Sequence, residues 1–142
     1  MNITFRPFNL HSDREIVSEF LMDTKKITGD LPDDPELDRK NYIKAVVNTQ
    51  KRNVNFCSMI INDQKIIGFV DIFQVEKKPE IGFLRFNYLI EQYRGRRISE
   101  IIMEFVFSLM KKYQCQKIYL DVSENNPRAI RFYQKTWIQV YW

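Results

Sequence analysis

The stretch Tyr88-Leu89-Ile90-Glu91-Gln92-Tyr93-Arg94-Gly95-Arg96-Arg97-Ile98-Ser99 decides how the rest of the chain is read. Apolar residues lead into it from Ile81, as a buried strand requires. Ile98, Ile101, Ile102, Phe105, Val106, Leu109 and Met110 follow at helical spacing. Between strand and helix lies a short turn with one glycine and three arginines, Arg94, Arg96 and Arg97. A strand that turns into a helix N-terminus leaves backbone N–H groups unpaired, and the positive end of the helix dipole points the same way. Such a corner suits an anion, a pyrophosphate in particular. Taken alone, the segment also fits a solvated basic turn.

Working outward, the helix runs over 97–113 and a short strand over 117–122 follows, so the two strands must pair in parallel. Asn126-Pro127 then opens a second helix, with asparagine at the cap and proline at the first helical position. Ala129, Ile130 and Tyr133 share a face of it. Trp137-Ile138-Gln139-Val140-Tyr141-Trp142 leaves room for one more strand. Upstream of the turn the expected strands are 55–61, 65–73 and 81–90, the first two joined at Asn62-Asp63-Gln64. Before these come a strand over 2–7 and a helix starting at Ser12-Asp13, with Ile16, Val17, Phe20 and Leu21 on one face. A second helix starts at Asp33-Asp34-Pro35-Glu36 after the loop Gly29-Asp30-Leu31-Pro32. The order is β-α-α-β-β-β-α-β-α-β, a mixed α+β class, because three consecutive strands exclude a plain alternating βα fold.

Composition narrows the function. The 142 residues are 44% hydrophobic, enough for one domain over 1–142 with its own core. No run approaches the roughly 20 apolar residues of a membrane span, and the N-terminus lacks a signal-peptide layout, so a cytoplasmic chain without membrane contact is expected. Cys57 and Cys115 lie far apart, which encodes neither a disulfide framework nor a zinc site, and no metal is expected. The single histidine, His11, leaves no Ser-His-Asp or Cys-His set to build. A net charge of +4 favours anionic partners but is too mild to argue for nucleic acid.

The turn and the helix after it resemble the signatures of the GCN5-related N-acetyltransferase (GNAT) family. In that family a strand leads into Arg/Gln-x-x-Gly-x-Gly/Ala at a helix start. A second segment, with an asparagine, an alanine and then a tyrosine, is similar to Asn126-Pro127-Arg128-Ala129-Ile130-Arg131-Phe132-Tyr133-Gln134-Lys135. Ile67-Gly68-Phe69 on the third strand also fits. Arg97 stands where the family usually has glycine, and Ser99 where it has glycine or alanine.

The resemblance implies acetyl-CoA as co-substrate and direct transfer of its acetyl group to a primary amine. It implies that Arg94, Gly95, Arg96, Arg97, Ile98 and Ser99 hold the pyrophosphate. Leu89 and Ile90 would lie beside the pantetheine, with the Leu89 N–H facing the thioester oxygen, and Asn126 would bond to the cofactor's arm. Tyr133 resembles the family's general acid, which protonates or hydrogen-bonds to the departing thiolate; spacing alone reads it equally as a core tyrosine. The amine's proton must be accepted directly or through water, and Glu80 and Asp71 are the candidates, either of which also reads as an ordinary strand residue.

The acceptor is expected to be an amine-bearing small molecule or peptide. Asp30, Asp33, Asp34, Glu36 and Asp38, around the loop between the first two helices, suit a polycation, and serve helix capping equally well. The short aromatic C-terminus suggests a homodimer formed through the last strand. Two rival readings remain: a degenerate acyl-CoA-binding or regulatory protein of the same fold, and a small nucleic-acid-binding domain using Arg94, Arg96, Arg97, Arg128 and Arg131. The latter lacks interleaved exposed aromatics.

Overall fold

The computed structural model describes residues 1–122 and 125–134 and the backbone of 139–141. Strand β1 (Ile3–Pro7) precedes helices α1 (Leu10–Thr28) and α2 (Pro35–Gln50). Strands β2 (Cys57–Asn62), β3 (Lys65–Val75) and β4 (Lys78–Leu89) follow. Helix α3 (Ile98–Lys112), strand β5 (Lys117–Asp121), helix α4 (Pro127–Gln134) and strand β6 (Gln139–Tyr141) complete the order read from the sequence. The six described strands lie in one sheet in chain order, antiparallel from β1 to β4 and parallel from β4 to β6. The α+β class and the element order are as expected.

Local chemistry explains the boundaries. α1 begins earlier than Ser12 because Asn9 is its cap: the Asn9 side chain accepts from the N–H groups of His11 and Ser12. Asp13, expected at the helix start, instead accepts from the Asn9 N–H at 2.8 Å and pairs with Arg6 at 2.7 Å, tying α1 to β1. Gly29, at φ 78°, ends α1 in the left-handed conformation that glycine adopts without strain. α2 starts as read, with Asp34 accepting from the Leu37 N–H and Pro35 at its first position. β4 begins three residues before Ile81 and contains Pro79. Its pairing with β5 starts only at Ile81, so the N–H that proline lacks is not required there.

The sheet separates two cores. On one face Phe8, Val17, Phe20, Ile43, Val46, Met59 and Phe69 join α1 and α2 to the strands. On the other, Ile60, Val70, Leu84, Leu89, Ile102, Val106, Leu120 and Tyr133 join α3 and α4. Cys57 is buried and Cys115 partly so, and both are free thiols.

One irregularity positions the site. β3 pairs Asp71 with Phe86 and Ile72 with Leu84, so Arg85 is an extra residue on β4. A bulge of this kind bends its strand and increases the local twist. β4 parts from β5 at the same place: their pairing runs from Ile81↔Lys117 to Leu84↔Leu120, and β4 continues to Leu89. The last residues of β4 therefore form one wall of an opening between the strands. β6 pairs in parallel with β5 and is the last strand in the sheet order. Trp137 and Trp142, on which the dimer expectation rests, lie outside the described residues, as does the side chain of Tyr141. No described helix is long and apolar enough to cross a membrane.

Candidate active site

A cavity of about 530 Å³ lies beside the last residues of β4, beyond the point where they part from β5. Asn87, Tyr88 and Leu89 of β4 form one wall, and Asn126, Arg128, Ala129, Phe132 and Tyr133 from α4 and the residue before it another. Arg94, Gly95, Arg97, Ser99 and Glu100 close one end, and Thr24, Ile27 and Thr28 bring in α1. The two segments singled out in the sequence thus face each other across one cavity. The Asn125 amide donates to the Thr28 carbonyl at 3.4 Å and ties the α4 side to the end of α1.

The turn is built to present N–H groups. Gly95 (φ 76°) and Arg97 (φ 62°) are both left-handed, and Arg97, the N-cap of α3, makes no side-chain capping bond. The first N–H groups of α3 therefore have no partner in their own helix or in the cap side chain. Alternating handedness in a turn gathers successive N–H groups into an anion-binding concavity. A left-handed conformation costs a residue with a Cβ roughly 1–2 kcal/mol. Arg97→Gly is accordingly expected to raise stability by about 1 kcal/mol, measured as a higher urea midpoint at unchanged slope. A lower midpoint would show that the Arg97 side chain contributes more than its backbone costs.

The arginines divide their roles. Arg94 Nε donates to the Leu89 carbonyl at 2.7 Å, and its guanidinium lies 5.3 Å from the Tyr88 ring, so it braces the end of β4. Arg96 lies over the Tyr93 ring at 5.6 Å and does not line the cavity. Arg128, which the sequence placed only on a possible nucleic-acid surface, is the arginine that crosses between the segments. Its Nη2 would lie 3.0 Å from a Cβ on Gly95, a tight contact that glycine avoids and that a side chain there would relieve only by shifting the guanidinium. Ile98 is a core residue, 1% exposed, and brings only its backbone to the turn. Ile90 is half-buried against both cores, with its N–H donating to the Ile67 carbonyl at 2.8 Å. Strand alternation then directs the Leu89 N–H away from β3, toward the opening.

Asn126 caps α4 with its Oδ1, which accepts from the Ala129 N–H at 3.2 Å. Tyr133 is buried, 8% exposed, and the Asn87 amide donates to its hydroxyl at 3.0 Å. Burial pushes its pKa up to about 12, against the opposing effect of the Asn87 donor. Asn87 was not singled out in the sequence. Alternation alone could not have found it, because only the bulge at Arg85 brings Asn87 onto the sheet face that carries both Leu84 and Leu89.

The two carboxylates considered as proton acceptors are elsewhere. Glu80 is exposed near the start of β4, nine residues from Leu89, which is roughly 30 Å along a strand. Asp71 is fully buried on the α2 face, where it binds Arg85 at 2.7 Å and accepts from the Tyr42 hydroxyl at 2.6 Å. Neither lines the cavity.

The sequence profile of the Acetyltransferase (GNAT) family matches residues 15–137. The chain belongs to the GNAT family. Among solved GNAT structures, the PaiA N-acetyltransferase of Thermoplasma acidophilum in complex with coenzyme A is similar at TM-score 0.75 and 19% identity, covering 96% of this chain and 89% of that one. The diaminobutyrate acetyltransferase EctA of Paenibacillus lautus, in complex with its substrate and coenzyme A, aligns at TM-score 0.71 and 18% identity over 95% and 74% of the two chains. These likenesses show the GNAT fold. A spermine/spermidine N(1)-acetyltransferase of Bacillus subtilis is 35% identical over 49 residues, which span 34% of this chain and 32% of that relative.

Proposed function

We propose that this GNAT chain transfers the acetyl group of acetyl-CoA directly to a primary amine of a small molecule or peptide. The observation that carries the reading is the cavity itself, in which the uncapped start of α3 and the buried Tyr133 face one opening beside the end of β4. The residues present suit the co-substrate. The Arg94–Ser99 turn with Arg128 offers N–H groups and positive charge to a pyrophosphate. Asn126 keeps its amide N–H₂ for the pantetheine arm, and Leu89 holds an N–H for the thioester oxygen. When bound, acetyl-CoA supplies an activated acyl group.

The role of Tyr133 follows from its pKa. A phenol that ionises at about 12 stays a hydrogen-bond donor throughout the working pH range. Full proton transfer to a thiolate whose conjugate acid has a pKa near 8.5 is uphill by about 5 kcal/mol. Tyr133 therefore stabilises the departing thiolate by donating a hydrogen bond, and the proton itself is made up from water or from the amine. Asn87 occupies one lone pair of the hydroxyl, so the phenolic proton is turned away from the Asn87 amide. Glu80 has no part in this reading, because of its distance from the cavity.

The acidic loop between α1 and α2, together with the short match to a spermine/spermidine acetyltransferase, favours a cationic amine as acceptor. A second copy meeting β6, the last strand of the sheet, would complete the proposed homodimer. Calorimetric titration with acetyl-CoA, followed by CoA release against an amine panel, tests the proposal. Binding with release on at least one primary amine supports it. Binding without release on any amine turns the reading to an acyl-CoA-binding protein, and no binding removes both.

A further inference from the structure

The cavity has two sides with respect to the chemistry. Tyr133 packs in the core on the α3/α4 face of the sheet and Tyr88 in the core on the α1/α2 face, so an amine can reach one side of the carbonyl plane from the face that Tyr133 does not occupy. That side is formed by Tyr88 and α1. With Glu80 and Asp71 placed elsewhere, the question is which carboxylate meets the amine there. Glu100 lines the cavity, but it lies in the first turn of α3, at the corner that suits phosphates.

Asp23 is on the amine's side. It does not itself line the cavity; it is borne by α1 one residue before Thr24, which does, along with Ile27 and Thr28. The Tyr88 hydroxyl donates to Asp23 Oδ2 at 2.5 Å, and Arg94 Nη2 lies 3.7 Å from the same oxygen. Both partners are cavity residues. Burial, then the Asp23 carboxylate, push the Tyr88 pKa up to about 12, so Tyr88 remains a donor and Asp23 the acceptor of that bond. Stacking of the Tyr88 ring on Phe20, at 4.5 Å between centroids, fixes the hydroxyl. Both contacts fall on Oδ2, and Oδ1 makes no hydrogen bond among the described residues. The side chain is 47% exposed, so an ion with N–H donors can reach it.

We infer that Asp23, held in place by Tyr88, is the residue that recognises the acceptor, and that the acceptor is a cationic amine that pairs an ammonium group, other than the nitrogen to be acetylated, with Asp23 Oδ1. This rests on the acetyltransfer reading and deepens it, since it names the charge of the substrate and the side from which it enters. Tyr88 is the positioning residue: it anchors Oδ2 and leaves Oδ1 to the substrate. Arg94 links the same carboxylate to the Leu89 carbonyl, which couples amine recognition to the end of β4.

The test uses the whole chain with saturating acetyl-CoA, spermidine as the cationic probe and aniline as an uncharged amine. Asp23→Asn keeps the shape and can still accept from Tyr88, but removes the charge. It is expected to raise the KM for spermidine about tenfold or more, the loss of one charge-assisted bond, and to lower the preference for spermidine over aniline by a similar factor. Asp23→Glu keeps the charge and is expected to retain the preference for spermidine over aniline, a readout that a merely structural role would not give. The inference is overturned if Asp23→Asn binds acetyl-CoA normally and its KM for spermidine is unmoved, or if both amines lose equally. Equal loss in Asp23→Glu overturns it too. Wild-type protein that binds no acetyl-CoA removes the acetyltransfer reading and this inference with it, whereas wild-type turnover with an unmoved Asp23→Asn removes the inference alone.

Discussion

Tyr133→Phe is expected to lower turnover by about 10²-fold or more while the dissociation constant for acetyl-CoA stays within a few-fold of wild type. The hydroxyl is the only group removed, and it sits on a buried ring in the cavity wall. A donor aimed at developing negative charge acts in the transition state rather than in the bound ground state, so the loss falls on kcat and not on affinity. The variant also strips the Asn87 amide of its acceptor, at a cost of about 1 kcal/mol in stability. Turnover must therefore be scaled to folded protein, measured by the same urea curve. Because the Tyr133 pKa is raised to about 12, its loss of a proton lies above the usual assay range. An alkaline fall in wild-type turnover below about pH 10 must then come from another group. Preserved turnover per folded molecule would return Tyr133 to the core as a structural tyrosine.

What the sequence made legible was local. The strand-turn-helix at Arg94 to Ser99 and the Asn126-Pro127 cap announce themselves within a few residues, because capping and dipole effects act over one turn. The order of strands and helices followed from periodicity in the same way. The pairs that finish the site are remote: Asn87 and Tyr133 are separated by 46 positions, and Tyr88 and Asp23 by 65. Nothing in either neighbourhood encodes the partner. Glu80 shows the converse failure. A carboxylate on the right strand was a reasonable candidate, but a strand spreads its residues over its whole length, so only the register decides which end reaches the cavity. Arg128 was visible as a charge and not as a ligand, because its position depends on how α4 crosses the turn.

The bulge at Arg85 escaped the sequence for the same reason, and it leads to the largest expected change in stability. Arg85 donates to both oxygens of Asp71, at 2.7 and 2.8 Å, and to the Thr49 hydroxyl at 3.0 Å. It also packs over Phe73 at 5.0 Å. Asp71 is fully buried, while the Arg85 side chain is 25% exposed. The two ends of the pair are therefore not equivalent. Arg85→Leu leaves a carboxylate in the core with, among the described residues, only the Tyr42 hydroxyl and the weak Cys57 thiol as side-chain donors. An uncompensated buried charge of this kind costs about 3–5 kcal/mol, a large share of a typical domain's stability. Asp71→Asn strands the arginine instead, but Arg85 can turn toward water, so a smaller loss of about 1–3 kcal/mol is expected. The double variant Asp71→Asn/Arg85→Leu removes both charges and should be more stable than Arg85→Leu alone. Urea unfolding of the four proteins gives the cycle directly. Because the bulge sits where β4 leaves β5, Arg85→Leu is also expected to weaken acetyl-CoA binding, although Arg85 does not line the cavity. Asp71→Asn, scaled to folded protein, should keep its turnover, which separates a residue that holds the bulge from one that accepts the amine's proton. If Arg85→Leu and Asp71→Asn lose equal stability, both charges are effectively solvated and the pair does not hold the bend in β4.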